Sequence, residues 1–255
     1  MDSEFSLPFQ SQLSHCQVEP NPKTLTRPSS TATMMKFSPT LLLSVILYSL
    51  LPLGCSAWNV VLAGGTGSVG RALGAALASS DPKTKVTILC RNAFLAAAPV
   101  RASSQFGWLG KAYLDKHAPS IQLRDWDGGD LLDIVGQDWV GWQEDALTKA
   151  DVIVHCYGGY TEQRTQACER LVRESYRLCP RALHITLSPA TRVDMEQVAP
   201  QCSRILQEQR IQQCEEMVQA NCINAECLKI EANRLEETVA MVQKVMEEKL
   251  SASLA

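Results

Sequence analysis

The stretch that most restricts this chain runs from Asn59 to Gly70 and reads Asn-Val-Val-Leu-Ala-Gly-Gly-Thr-Gly-Ser-Val-Gly. Val60 to Ala63 form a continuous apolar run, too short for a helix and bounded by glycine, as expected of a strand buried on both faces of a parallel sheet. Gly64, Gly67 and Gly70 then fall three apart, and Arg71 to Ala78 continue as an alanine- and leucine-rich helix. Each spaced glycine of the turn Gly64-Gly65-Thr66-Gly67-Ser68-Val69-Gly70 has a physical reason. Gly64 lets the chain leave the strand tightly, Gly67 lets the backbone approach a pyrophosphate, and Gly70 lets the helix pack close to the sheet. The helix opens with unbonded N–H groups and its positive dipole end at the same spot, which favours phosphate. The stretch therefore implies a dinucleotide pocket.

The 255 residues can hold one domain of ordinary size plus appendages. A formal charge of -3 supplies no basic field, which argues against nucleic acid as a partner. Residues 1–33, rich in Ser, Thr, Pro and Gln without an apolar face, read as a disordered or untranslated extension. Met34 and Met35 offer an alternative start. Lys36 then supplies a positive n-region, Leu41 to Leu51 an apolar h-region, and Cys55-Ser56-Ala57 a small-residue cleavage pattern. Residues 34–57 thus read as a signal peptide cleaved after Ala57, with no membrane span expected in the mature chain, because the apolar run falls short of the roughly 20 residues a spanning helix needs. Entry into the secretory pathway follows. The Ser-Ala junction before Trp58 also resembles the presequences of diatom-type plastids, which leaves plastid delivery by a secretory route as an alternative.

Of the 10 cysteines, Cys16 and Cys55 lie in the segments expected to be removed. An oxidising compartment would permit disulfides among the rest. Cys90 and Cys156 end the expected second and fourth strands, which flank the first strand at roughly 9 to 10 Å from each other, so they read as separate thiols.

Lys85 to Cys90 is β-branched and apolar, a second strand. Arg91 follows where dinucleotide folds that bind a ribose 2′-hydroxyl carry an acid, and an Arg there suits a 2′-phosphate, with Arg71 close enough to assist. The pocket is accordingly read as built for NADP rather than NAD. Ala93 to Ala98 and Leu109 to Lys116 each suggest a short helix, broken by Gly107 and Gly110. Ile121 to Leu123 suggests a third strand, after which Asp125, Asp127 and Asp130 compete for the adenine edge, with Asp127 preferred. Trp139 to Thr148 reads as a helix, and Asp151 to Tyr157 as a fourth strand ending at Gly158-Gly159, where Gly158 lets the backbone border the cofactor. Thr161 to Cys179 is an amphipathic helix with Cys168, Leu171, Val172, Ser175 and Leu178 along one side. Ala182 to Leu187 is a fifth strand, ending in Ser188-Pro189.

Gly64 to Leu73, the Arg after the second strand, Asp125-Trp126-Asp127 and Tyr160-Thr161-Glu162-Gln163-Arg164 together resemble the atypical, extended-type short-chain dehydrogenases related to nucleotide-sugar epimerases. The resemblance covers about Asn59 to Ser188. It implies an α/β fold, a Rossmann-type doubly wound parallel sheet of strand order 3-2-1-4-5 over residues 58–192, with an NADP cleft and Ser188 in the place of the family's helper Ser. Active members use a Tyr-x-x-x-Lys pair beyond the fifth strand, and here no Tyr follows Tyr176, which has Pro180 four residues on. No catalytic residue is therefore assigned. His155, His184 and Cys156 lie in or beside apolar strand patterns, where a buried side chain is the commoner outcome than a base or nucleophile. No metal-ligand spacing occurs.

Residues 193–255 replace the family's substrate lobe with a polar segment carrying Ile205, Leu206, Val218, Leu228, Leu235, Val239, Val242 and Met246 at helical spacing. It reads as a helical tail of one or two helices, broken near Asn221 to Asn224, and suited to docking a protein partner. Its cysteines, Cys202, Cys214, Cys222 and Cys227, read as small packing residues, with pairing to another helix or chain as the alternative. The leading functional expectation is a nicotinamide dinucleotide-binding protein with reduced or absent catalysis. The alternatives are an oxidoreductase or epimerase with a non-standard base, and a scaffold subunit of a larger assembly.

Overall fold

The computed structural model describes residues 57–102, 107–126, 141–156, 162–190, 204–231 and 233–253. The N-terminal extension, the signal segment up to Ser56, Asp127, Gly158 and Cys202 lie outside these residues.

Six strands form one parallel sheet: β1 (Asn59–Ala63), β2 (Lys85–Cys90), β3 (Ile121–Asp125), β4 (Val152–His155), β5 (Leu183–Pro189) and β6 (Asn224–Ile230). Their order is β3-β2-β1-β4-β5-β6. The helices are α1 (Ser68–Ser80), α2 (Ala93–Ala97), α3 (Lys111–His117), α4 (Trp142–Leu147), α5 (Glu162–Leu178), α6 (Arg204–Asn221) and α7 (Leu235–Ser253). The fold is a Rossmann-type α/β sheet. Strand direction reverses its lateral progress at β1, which pairs with β2 on one side and with β4 on the other.

The pleat sorts the strand residues into two cores. On one face Val60, Leu62, Val86, Ile88, Val152, Val154, Leu183 and Ile185 meet Leu73 and Leu77 of α1, Tyr113 of α3, and Val242 and Met246 of α7. On the other Val61, Ala63, Leu89 and Ile153 meet Trp142, Ala146 and Leu147 of α4 and Leu171 of α5. Leu62, Ile88, Leu89 and Ile153 are among the fully buried side chains, each contributing about 1.5–3 kcal/mol of transfer free energy. Asp151 ties the start of the central strand by accepting from the Asn59 backbone N–H at 2.8 Å and from its side-chain amide at 3.2 Å.

The tail corrects one expectation. The break near Asn221 to Asn224 opens into a strand, and β6 runs parallel to β5 from Leu183↔Asn224 to Pro189↔Ile230. Its alternation is hidden by charge: on one face Leu228 and Ile230 pack on the core while Glu226 pairs with Lys249 of α7, and on the other Lys229 pairs with Glu215 of α6 beside Ala225. Two half-buried faces, each carrying one compensated charge, make an edge strand that looks polar in sequence. The apolar stripe of α7, Val239, Val242 and Met246, packs against the α1 side of the sheet. Among the described residues no helix is long and apolar enough to cross a membrane.

Candidate functional site

The glycine turn joins β1 to α1 at the carboxyl edge of the sheet, at the point where β2 and β4 diverge from β1. That is the crevice where open α/β sheets bind ligands. Gly64 has φ +73°, a left-handed conformation that disfavours any side chain, and its N–H donates to the Leu89 carbonyl at 3.1 Å. A Cβ on Gly70 would fall inside contact distance of the Cα, C and O of Gly65, so the first turn of α1 rests directly on the loop. Gly65 is itself buried, and a Cβ there would meet that of Leu62 at 2.8 Å.

Gly67 differs from both. Its backbone is extended (φ −76°, ψ 178°), and among the described residues no atom lies within 4 Å of the place a Cβ would take. It is exposed and begins α1 without a side-chain cap, and the first turn holds no acidic residue. Ser68 is exposed beside it and Val69 half-buried. A 13-residue helix thus points an uncapped, solvent-facing N-terminus across the open side of Gly67, at the positive end of the helix dipole.

The wall beside the turn comes from Gly107 and Trp108, at the expected break, and from Tyr113 in the helix that follows it. Gly107 lies so close to Thr66 that a Cβ there would overlap the Thr66 hydroxyl. Trp108 and Tyr113 then flank Arg71, whose guanidinium carbon lies 5.9 Å and 5.2 Å from the two ring centroids. The Tyr113 hydroxyl donates to the Arg71 carbonyl at 2.8 Å, and burial pushes this phenol up to about 12. Arg71 therefore stands on an aromatic wall at the rim of the turn. Arg91 is exposed at the end of β2. Asn92 caps α2 by accepting from the Leu95 N–H at 2.8 Å, and Asp125 at the end of β3 accepts from the Ala93 N–H at 2.5 Å, fixing the strand end from which Arg91 projects.

At the other side of the crevice Ser188 is buried at the tip of β5, and its hydroxyl and that of Thr186 meet no hydrogen-bond partner among the described residues. His155 and His184 form a buried pair, Nε2 to Nδ1 at 3.1 Å, one ring donating and the other accepting. Burial holds both below the ordinary imidazole range, His184 at about 4 and His155 well below 6.5 with further depression from His184 and Arg164. Burial pushes the Cys156 thiol up to about 12. These three side chains are neutral near pH 7, and the histidines are weak bases there. Arg164, buried in α5, was not anticipated. Its signal lay in the spacing, because Arg164 precedes Cys168, Leu171, Val172 and Ser175 on one helical face. Among the described residues no group of three His, Cys, Asp or Glu side chains can hold a metal ion.

No family model matches the chain, and no curated protein matches it. Distant structural likenesses exist. One is an NADPH-dependent quinone oxidoreductase from Escherichia coli complexed with NADPH (15% identity, TM-score 0.43, 67% of this chain and 48% of that one). A second comes from the pinoresinol-lariciresinol and phenylcoumaran benzylic ether reductases (16%, TM-score 0.46, 69% and 50%). A third is the ADP-L-glycero-D-manno-heptose-6-epimerase of Helicobacter pylori (13%, TM-score 0.42, 69% and 55%). The chain spans about half the length of these three structures. Likeness this distant says nothing about activity.

Proposed function

We propose that this is an NADP(H)-binding protein that holds the dinucleotide at the Gly64–Gly70 turn as a bound or sensed ligand, with little or no catalysis. The observation that carries this reading is the open side of Gly67 beneath an uncapped helix N-terminus without acidic residues, placed at the divergence point of the sheet. At Gly65 and Gly70 a side chain would run into the protein itself; at Gly67 no described atom stands in its way.

Preference for the 2′-phosphorylated form is supported by Cys90-Arg91-Asn92 at the end of β2, where no acid stands to receive a ribose diol, and by Arg71 on its aromatic wall. Reduced catalysis is supported by the lack of any Tyr beyond Tyr176 and by the neutral, buried state of His155, His184 and Cys156. A second reading, a working oxidoreductase, is favoured by the Ser188 hydroxyl at the tip of β5, which meets no partner among the described residues.

Titration of the purified protein with NADPH and with NADH, followed by nicotinamide fluorescence and by thermal midpoint, tests the proposal. At a ligand concentration a hundred times its dissociation constant, stabilisation reaches about 2.7 kcal/mol. Binding with NADPH preferred supports the reading, and binding of neither nucleotide refutes it. Nucleotide-dependent turnover of a carbonyl or sugar-nucleotide substrate would replace it with the oxidoreductase.

A further inference from the structure

The interface between α5 and α6 brings two cysteines from distant parts of the chain to one level. Cys168 and Val172 lie one helical turn apart on α5, Cys214 and Val218 one turn apart on α6, and the four pack as a small core of their own. Cys168 has no exposed surface and Cys214 only 1%. The Cys168 thiol donates to the Cys214 carbonyl oxygen at 3.9 Å. Arg164, 4% exposed and one turn before Cys168, brings its guanidinium to the same place. Two buried thiols at one level of a helix interface, one bonded to the other's backbone and both beside a buried cation, are arranged for more than filling space.

We infer that Cys168 and Cys214 form a dithiol site that peroxide oxidises to a disulfide joining α5 to α6. Cys214 is the attacking sulfur. The Cys168 side chain and the charge of Arg164 outweigh burial and pull its thiol down from 9.0 to about 7. Burial instead pushes Cys90, Cys156 and Cys222 up to about 12 and Cys179 up to about 11. The Cys214 thiolate attacks one peroxide oxygen: a sulfur–oxygen bond forms, the oxygen–oxygen bond breaks, and hydroxide leaves to take a proton as water. The Cys168 sulfur then attacks the Cys214 sulfenic acid, the sulfur–sulfur bond forms, and the second oxygen leaves as water. The two thiols together give up two electrons and two protons, and one peroxide becomes two waters. Peroxide is small enough to reach a closed helix interface that a bulkier oxidant would not enter. The proposal is independent of nucleotide binding.

The test exposes the folded full-length protein to graded hydrogen peroxide at neutral pH, followed by alkylation under denaturing conditions and peptide mapping by mass spectrometry. The expected product is a cross-linked pair of peptides carrying Cys168 and Cys214, lighter by two hydrogens, while Cys90 and Cys156 are recovered alkylated. In Cys168→Ser the second step is removed, so Cys214 accumulates as a sulfenic acid that dimedone traps once the protein is unfolded in its presence. Recovery of both residues as alkylated thiols at peroxide levels that oxidise other cysteines overturns the proposal, and so does linkage of Cys214 to a different cysteine. The wild-type map decides between these outcomes whether or not the variant folds.

Discussion

Acidification from pH 7 to pH 4.5 should destabilise this protein before its carboxylates titrate, because the buried His155–His184 pair is held neutral. His184 titrates at about 4 in the folded chain against an ordinary 6.5. With the folded value depressed, the unfolded state binds more protons between the two values, so stability is full above pH 6.5 and falls as the pH drops towards 4. Integrating that difference for His184 alone gives a loss of about 2 kcal/mol at pH 5 and about 3 kcal/mol once both states are protonated. His155 is shifted in the same direction and adds to the loss, since protonating both rings leaves two N–H groups facing each other at 3.1 Å. For a chain of this size 2 kcal/mol corresponds to a fall in midpoint of roughly 4–8 °C. Calorimetry at fixed ionic strength from pH 7.5 to 4.5 reads this directly, and the imidazole proton resonances report when each ring charges. His117 is also lowered, by its own desolvation and by Lys116, so His117→Asn serves as background. A midpoint in that background that stays flat between pH 6.5 and 4.5, or resonances assigned to His155 or His184 that titrate above pH 6, refutes the buried neutral pair.

The two ends of the glycine turn should respond oppositely to one methyl group. Gly70→Ala places a Cβ inside contact distance of the Gly65 backbone, which cannot rotate away, and should lower stability by about 1–3 kcal/mol, read as a denaturant midpoint. Gly67→Ala meets empty space in an extended backbone and should change stability by less than about 0.5 kcal/mol, yet weaken NADPH binding by tenfold or more, read by fluorescence titration. Full binding by Gly67→Ala would move the nucleotide away from this turn. Arg91→Ala should weaken NADPH by roughly tenfold, the effect of losing about 1.4 kcal/mol, and leave NADH unchanged, and an equal loss for both nucleotides would remove Arg91 from 2′-phosphate recognition.

β1, β2, β4 and β5 were readable because each is a short apolar run buried on both faces, where burial alone decides the side-chain choice, while edge strand β3, with only Ile121 buried, was readable from Ile121 to Leu123 alone. Lys85–Cys90 appears with the expected bounds, and the central order holds with β6 added at its edge. That sixth strand escaped because Asn224-Ala225-Glu226-Cys227-Leu228-Lys229-Ile230 is specified by pairing with β5 and by Glu226–Lys249 and Lys229–Glu215, interactions between elements rather than within one. The turn itself was legible for the opposite reason: φ at Gly64 and the Gly65–Gly70 contact are local, so they leave a local signature. The wall of Gly107, Trp108 and Tyr113 beside Thr66 and Arg71 crosses some forty residues and left none.

The same division separates the glycines that the fold itself requires from the one that it does not. Gly64, Gly65 and Gly70 are required by the folding of β1 onto α1, because each is closed in by backbone or core atoms or held at positive φ. A chain that kept the fold and lost every ligand would keep these three. Gly67 and the acid-free first turn of α1 are required by nothing in the described protein, since any residue adopts that backbone and an acidic residue there would complement the helix dipole. The absence of a side chain where space is free, joined to the absence of the acid that helix stability alone would favour, is therefore the part of the motif that speaks for an anion.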